Sequence, residues 1–98
     1  MVIGSISVDI RLGDVHSLKE KRSVVRPIVA ELRRRFTVAA AETGHLDLHR
    51  RAELGVAVVA ADAGHVREVL QSCEQLVAGH PEIEILAVRQ RVWDDGDE

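Results

Sequence analysis

Apolar and polar positions along the chain follow two different periods, and each period predicts a type of element. Residues 2–12, VIGSISVDIRL, alternate between an apolar side and a largely polar side. A period of two with one polar side predicts a strand that is covered on one side only. Residues 37–43, 51–61 and 83–93 are further segments of this kind. We therefore predict four strands.

A helix is predicted after the first strand. Ser17 and Glu20 have the spacing of a capping box, which marks a helix start. Pro27 lies inside the helix, so we expect a kink near residues 23–27 or a short first segment before the helix proper. The apolar stripe of this helix consists of Val25, Ile28, Val29, Leu32 and Phe36.

A second helix is predicted to begin after its cap, Asp62, and to end at Gly79 and Pro81. We expect Gly79 to adopt the left-handed conformation that is common at helix ends. The apolar stripe of this helix consists of Val66, Val69, Leu70, Cys73, Leu76 and Val77.

The order strand–helix–strand–strand–helix–strand predicts the fold. Two crossover units joined by a hairpin form an α+β, ferredoxin-like βαββαβ domain, with a four-stranded antiparallel sheet and two helices on one face. We assign residues 1–93 to this single domain. Residues 94–98, DDGDE, form an acidic tail that we expect to be disordered.

Composition narrows the class of protein. The 98 residues are 46% hydrophobic and 30% charged, which is typical of a globular domain. Phe36 and Trp93 are the only aromatic residues, which disfavours a surface that stacks bases on rings. The single Cys73 excludes an intrachain disulfide and favours a reducing compartment. Without a signal peptide or a long apolar segment, we expect a cytoplasmic protein with no membrane association.

Positive charge is concentrated in the first half of the chain. Residues 1–51 hold ten Lys/Arg against six Asp/Glu, whereas residues 52–98 hold three against ten. Four basic residues fall within a sector of about 60° on the first helix. We call them the basic ridge: Lys19, Arg22, Arg26 and Arg33. Such a ridge is a candidate surface for RNA, a ribonucleoprotein or an acidic partner. The alternative is a solvated helix face.

Lys21 differs from the ridge because its helical angle falls with the apolar stripe. Either its stem passes under the first turn toward water, or its amine pairs with a carboxylate such as Asp9, Asp14 or Asp47. We favour the pairing.

A candidate polar site comprises His45, Asp47 and His49 of the segment GHLDLHR, together with His16 and Lys21. If the segment is extended, its two histidines and Asp47 share one side and could supply metal ligands. A single pattern of this kind is more typical of turns and local hydrogen bonds, so we expect no metal or cofactor.

No motif indicates an enzyme. The chain contains no G-x-S-x-G, no Gly-rich phosphate loop and no H-E-x-x-H. Cys73 lies on the core stripe of a helix, where a thiol is inert. We predict no catalytic residue, and a metal-dependent enzyme at the histidines is the third-ranked alternative.

The side of the sheet opposite the helices is predicted to carry several apolar residues, among them Ile83, Ile85 and Trp93. An uncovered apolar face is normally buried against a partner. We expect a homodimer through this face or through an edge strand, with Trp93 and Ile85 in the interface. The alternative is a solvated sheet.

Two segments resemble a known family. HSLKEKRSVV after a VxIRL-type strand, and ELRRRFTVAAAETGHLDLHRRAELGVAVV after it, are similar to the small bacterial DUF503, or YlxP-like, proteins. The resemblance extends from about Val2 to Val92. It implies a ferredoxin-like domain of unknown function, from genes often found near those for translation initiation and ribosome maturation factors. Our leading hypothesis is an RNA-binding or ribosome-associated domain, and the second is a dimeric protein-interaction module.

Overall fold

The computed structural model describes residues 1–95, and it confirms the predicted order of elements. The elements are β1 (Val2–Leu12), α1 (Leu18–Arg35), β2 (Ala39–Gly44), β3 (Arg51–Ala60), α2 (Ala63–Ala78) and β4 (Ile83–Asp94). The strands pair antiparallel in one sheet with the order β2-β3-β1-β4. This is the ferredoxin-like α+β fold.

Both helices cover the same side of the sheet. Even-numbered residues of β1, and those of β3 as far as Val58, are buried beneath them, as the alternation predicts. A Cβ atom at Gly4 would overlap the side chains of Val66 and Leu70, so α2 approaches β1 closely at this glycine. The apolar residues that α1 and α2 bury in the core are Val25, Ile28, Val29, Leu32, Val66, Leu70, Cys73 and Val77.

The start of α1 follows the capping-box prediction. The Ser17 hydroxyl accepts a hydrogen bond from the Glu20 N–H at 3.1 Å, and the Glu20 carboxylate accepts one from the His16 N–H at 3.3 Å. The helix continues without interruption through Pro27, so of the two expected alternatives the separate short first segment is wrong, and the kink near residues 23–27 stays a prediction. Pro27 and Ser23 are both exposed. Water can therefore solvate the carbonyl that a proline at this position leaves without an amide partner.

The end of α2 differs from the prediction in one respect. Gly79 is the C-cap, but its φ of −76° lies in the right-handed region. Its N–H instead points back to carbonyls of the last turn, including that of Gln75 at 3.0 Å. The helix therefore ends without a left-handed residue. Asp62 caps the other end as predicted, since its carboxylate accepts from the His65 N–H at 2.8 Å.

A bulge in β4 changes which side chains face the helices. The register with β1 shifts between Asp9 and Ile10, so one residue of β4 is extra at this point. Ile85 consequently lies opposite Ile10, and Ile83 packs against the core with it. The prediction that Ile83 and Ile85 lie on the open side of the sheet is wrong, because a strict period of two does not hold across a bulge.

The end of the chain is described only as far as Asp95. Asp94 is the last residue of β4, and the Asp95 carboxylate lies 2.9 Å from the amino terminus of Met1. The rest of the predicted acidic tail, residues 96–98, lies outside the described residues. Neither helix within residues 1–95 has the length and apolar content needed to cross a membrane.

Candidate functional site

Lys21 is buried at the first turn of α1, and its ammonium group has three oxygen partners. Its side chain is 2% exposed. The ammonium nitrogen lies 2.7 Å from Glu42 Oε2 and donates to the backbone carbonyls of His45 and Leu48, both at 2.8 Å. The predicted pairing is therefore present, but the partner is Glu42 of β2 and none of the three aspartates that we considered. Lys21 holds the loop between β2 and β3 against α1.

His45 connects this buried contact with the open side of the sheet. Its φ of 58° is left-handed, which is uncommon for a residue with a side chain. Its carbonyl accepts from Lys21, while its ring nitrogen Nε2 lies 3.4 Å from Asp9 Oδ1. Asp9 also accepts from Arg51 Nη2 at 2.6 Å. The Arg51 guanidinium holds the pKa of the Asp9 carboxyl below its ordinary value, chiefly through this hydrogen bond.

The other members of the predicted polar site do not join this group. His16 pairs with Asp14 at 2.7 Å, and both side chains are largely exposed. Asp47 and His49 lie exposed in the loop, which is not extended. Within residues 1–95, no group of three His, Cys, Asp or Glu side chains is placed to hold a metal ion. The prediction that His45, Asp47 and His49 could supply metal ligands required an extended segment, and this segment is a turn.

The basic ridge lies on the exposed face of α1. Lys19, Arg22 and Arg26 are exposed, and none of them forms an ion pair with a residue in the described part of the chain. By contrast, Arg34 and Arg35 at the end of the helix each lie 3.7 Å from the Glu31 carboxylate. Within residues 1–95, the basic residues of the ridge thus lack a carboxylate partner, whereas Arg34 and Arg35 at the helix end share Glu31.

Arg33 has a second role at the end of the ridge. Its Nε and Nη2 donate to the Ala40 carbonyl at 2.9 and 2.6 Å, which attaches α1 to edge strand β2. A groove of about 420 Å³ runs between α1 and β2 beside this contact. Its lining residues are Arg22, Val25, Arg26, Val29, Ala30, Arg33, Ala41 and Glu42. Three of the four ridge residues thus line one side of a groove.

The open side of the sheet carries an apolar cluster at one end. Ile3 lies between Val59 on β3 and Trp93 on β4, each as its direct cross-strand partner. Val59 is 62% exposed and Trp93 is 49% exposed. Toward the middle, the same side is lined mostly by small residues and forms a shallow groove of about 560 Å³. We refer to Ile3, Val59 and Trp93 as the open-face cluster.

Cys73 is fully buried in the core, as its position on the stripe of α2 predicts. Burial raises the pKa of its thiol to about 11. The thiolate is therefore scarce at neutral pH, and the side chain acts as a small apolar group.

Sequence reasoning missed Glu42, although the sequence carries a signal for it. In the strand AAAET, a period of two places Glu42 on the same side as the buried Ala40. A carboxylate at a core position is out of pattern, and so is the amine of Lys21 on an apolar stripe. Two opposite charges that are each out of pattern are best explained by pairing with one another.

Comparison with known proteins identifies the family of the chain. Residues 3–90 match the family model described as a protein of unknown function, DUF503. The chain is 31% identical over 83 residues to the uncharacterized protein YlxP of Bacillus subtilis (strain 168), which covers 85% of this chain and 90% of that protein. The range matched by the family model, residues 3–90, contains the basic ridge, Lys21 and the loop between β2 and β3. The chain belongs to the DUF503 family.

Proposed function

We propose that the protein is a non-enzymatic binding domain that engages structured RNA, free or in a ribonucleoprotein, through the basic ridge. One observation supports this proposal. Lys19, Arg22 and Arg26 are neighbouring exposed cations, and none of them has a carboxylate partner among residues 1–95. Cations that are not neutralised within a protein attract phosphates and release their counterions on binding.

The shape of the ridge favours binding of the phosphate backbone of RNA over recognition of single bases. The ridge runs along α1 for roughly 20 Å at 1.5 Å per residue. The described residues around the groove include no aromatic ring that could stack on a base. Affinity should then come from phosphate contacts, with little dependence on base sequence.

A binding assay with a structured RNA and two matched variants tests this proposal. R22E/R26E reverses two ridge charges, and R34E/R35E reverses two charges on the same helix that already face Glu31. Both variants change the net charge equally. We expect R22E/R26E to abolish binding and R34E/R35E to weaken it only a few-fold. Arg33 is left unchanged because it holds β2.

Salt dependence gives a second measure. Three phosphate contacts predict that affinity falls roughly 20- to 50-fold between 50 and 200 mM salt. Absence of binding at 50 mM salt, independence from salt, or equal losses in the two variants would each reject the ridge as an RNA site.

A protein-interaction module is the second candidate, and the open-face cluster is the observation that favours it. Val59 and Trp93 expose apolar surface side by side around Ile3. Exposed aromatic residues beside aliphatic ones commonly anchor protein interfaces. If this candidate holds, a stoichiometric protein partner should resist nuclease treatment and be lost from V59S/W93S. A partner retained by that variant would exclude this face.

A further inference from the structure

The outer edge of β4 is the longest unpaired backbone edge of the sheet. β4 spans twelve residues, Ile83–Asp94, and within residues 1–95 it pairs with one strand, β1. Most of its side chains from Ala87 to Trp93 are exposed. A long exposed edge normally carries charges that either prevent pairing with another strand or restrict it to one partner. The arrangement of the charges on β4 distinguishes these two cases.

Positions on β4 are counted most simply on β1, which pairs with β4 on both sides of the bulge. In this register, Ile85 and Val88 lie one position to either side of Ala87. Glu84 and Arg89 lie two positions to either side of it. Acidic and basic residues are thus at equal distances from Ala87. Their sequence numbers are not symmetric about Ala87 because Leu86, the extra residue of the bulge, has no partner in β1.

The symmetry extends to a second pair of charges. Arg91 lies opposite Ser5 of β1, four positions from the centre. On the other side, the N–H of Gly13 donates to the Glu82 carbonyl at 3.3 Å, which continues the pairing for four positions in that direction. Glu82, which lies in the turn directly before β4, and Arg91 are therefore the next matched pair by position.

We propose that β4 is a homodimer interface, in which the β4 strands of two copies pair antiparallel about a two-fold axis through Ala87. Glu84 of one copy then lies opposite Arg89 of the second copy, and Glu82 lies opposite Arg91. The axis repeats both pairs, which gives four contacts of opposite charge. The two sheets become one sheet of eight strands.

The faces of the side chains agree with this pairing. Residues opposite one another in an antiparallel pair point to the same side of the sheet, with Cβ atoms about 5 Å apart. Glu84 and Arg89 share the open side with their β1 partners. Glu84 already lies 3.6 Å from Arg11 of its own chain, and both of these side chains are more than half exposed. Ile85 lies on the helix side, and so does Val88, which is 38% exposed. In the dimer these two apolar residues are opposite each other and shield one another from water.

The charges also select one register. If the axis moves by one position, only one pair of opposite charges remains. This pair is Glu82 with Arg89 when the axis passes through Ile85, and Glu84 with Arg91 when it passes through Val88. Moving it by two positions puts Arg89 opposite its own copy in one direction and Glu84 opposite its own copy in the other. Like charges directly opposite one another are unfavourable. Only the axis through Ala87 matches both acidic residues with both basic ones.

Charge-swapped variants of the full chain test this pairing directly. R89E/R91E makes the edge acidic, and E82R/E84R makes it basic. The unmodified chain is expected to dimerise between about 1 µM and 1 mM in sedimentation equilibrium, a range suited to a small interface. Each variant alone is expected to dimerise about 100-fold more weakly or not at all, because both pairs become repulsive. Their equimolar mixture is expected to form a heterodimer, since all four contacts are then attractive.

Two controls and one further test variant separate β4 from other surfaces. R34E/R35E changes net charge as R89E/R91E does but lies on α1, and it should leave the dimer intact. V88E places a charge on the helix side of β4, opposite Ile85 of the second copy. It should therefore disrupt a dimer that pairs along the β4 edge and leave a dimer through the open side intact. V59S alters the open-face cluster and should have no effect. A monomer up to 1 mM, no heterodimer in the mixture, or a dimer sensitive to V59S but not to V88E would overturn the proposal. Circular dichroism of each variant verifies that it is folded, and the RNA proposal is tested independently of this one.

Discussion

Lys21 Nζ lies 2.7 Å from Oε2 of Glu42, and this contact joins the first turn of α1 to the edge strand β2. The lysine is 2% exposed, whereas the Glu42 side chain is 21% exposed. The buried amine therefore depends on the contact more than the carboxylate does. Because the same amine also binds two carbonyls of the loop that follows β2, one side chain fixes three segments of the chain.

Lys21→Met should destabilise the fold by about 3–5 kcal/mol. The substitution keeps much of the apolar stem but leaves Glu42 and two carbonyls without the amine, and removing one partner of a buried ion pair has a cost of this size. Urea denaturation followed by circular dichroism measures the change. Lys19→Met on the exposed side of the same turn should change stability by less than about 0.5 kcal/mol. Equal effects of the two substitutions would show that the Lys21 contact is not stabilising.

Asp9 should make the stability of the protein sensitive to acid. The Arg51 hydrogen bond lowers the pKa of Asp9 from its ordinary 3.8 in the folded state. A carboxyl with a lowered folded pKa stabilises the fold above its unfolded pKa, and this stability is lost as the pH falls through the folded pKa. Asp9→Asn should therefore be less stable than the unmodified chain at pH 6, and this deficit should shrink below about pH 4. A deficit that stays constant from pH 6 to pH 2 would contradict the assignment.

Gly4→Ala should destabilise the protein by about 1–3 kcal/mol, the usual cost of overpacking a core. The added methyl group would overlap Val66 and Leu70, so α2 has to move away from β1. Gly13→Ala is the matched control, because the nearest atom to a Cβ there is the Glu82 carbonyl oxygen at 3.8 Å. Thermal unfolding of both variants measures the difference. A stable Gly4→Ala variant would mean that α2 packs farther from the sheet.

His45 should tolerate residues that accept a left-handed backbone and reject branched ones. At a φ of 58°, His45→Val should cost about 1–2 kcal/mol more than His45→Asn. His45→Gly and His45→Asn both accept a left-handed backbone and both remove the ring beside Asp9, so their unfolding midpoints should lie close together. If valine and asparagine give the same midpoint, the loop does not need its left-handed residue.

The sequence predicted the fold well because its local signals agree with one another. Alternation in β1, the Ser17–Glu20 capping box and the apolar stripes of both helices each indicate the same architecture, and all are present. The wrong placement of Ile83 and Ile85 has a physical cause. The bulge that turns Ile85 toward the core depends on how β4 aligns with β1, and pairing register between distant strands leaves little trace in local composition.

The candidate site was predicted less completely than the fold. The exposed cations of the ridge follow from helical angles, so Lys19, Arg22 and Arg26 are located as expected. The contacts of Arg33 with Ala40 and of Lys21 with Glu42 cross from α1 to β2 and depend on tertiary distances. The polarity of Lys21 and Glu42 at core positions indicates the second contact, and no feature of the sequence indicates the first.

The strand order β2-β3-β1-β4 determines which partners can be bound at the same time. α1 contacts β2, whereas the outer edge of β4 is three strand spacings away, roughly 14 Å at about 4.8 Å each. A ligand along α1 therefore does not occlude that edge, and the two binding equilibria need not compete. In a pair of copies joined at β4, two equivalent helices would stand at opposite ends of the sheet, roughly 35 Å apart. A polyanion long enough to reach both would meet the second helix at a high effective concentration, so avidity would rise with ligand length while single-site affinity stayed constant.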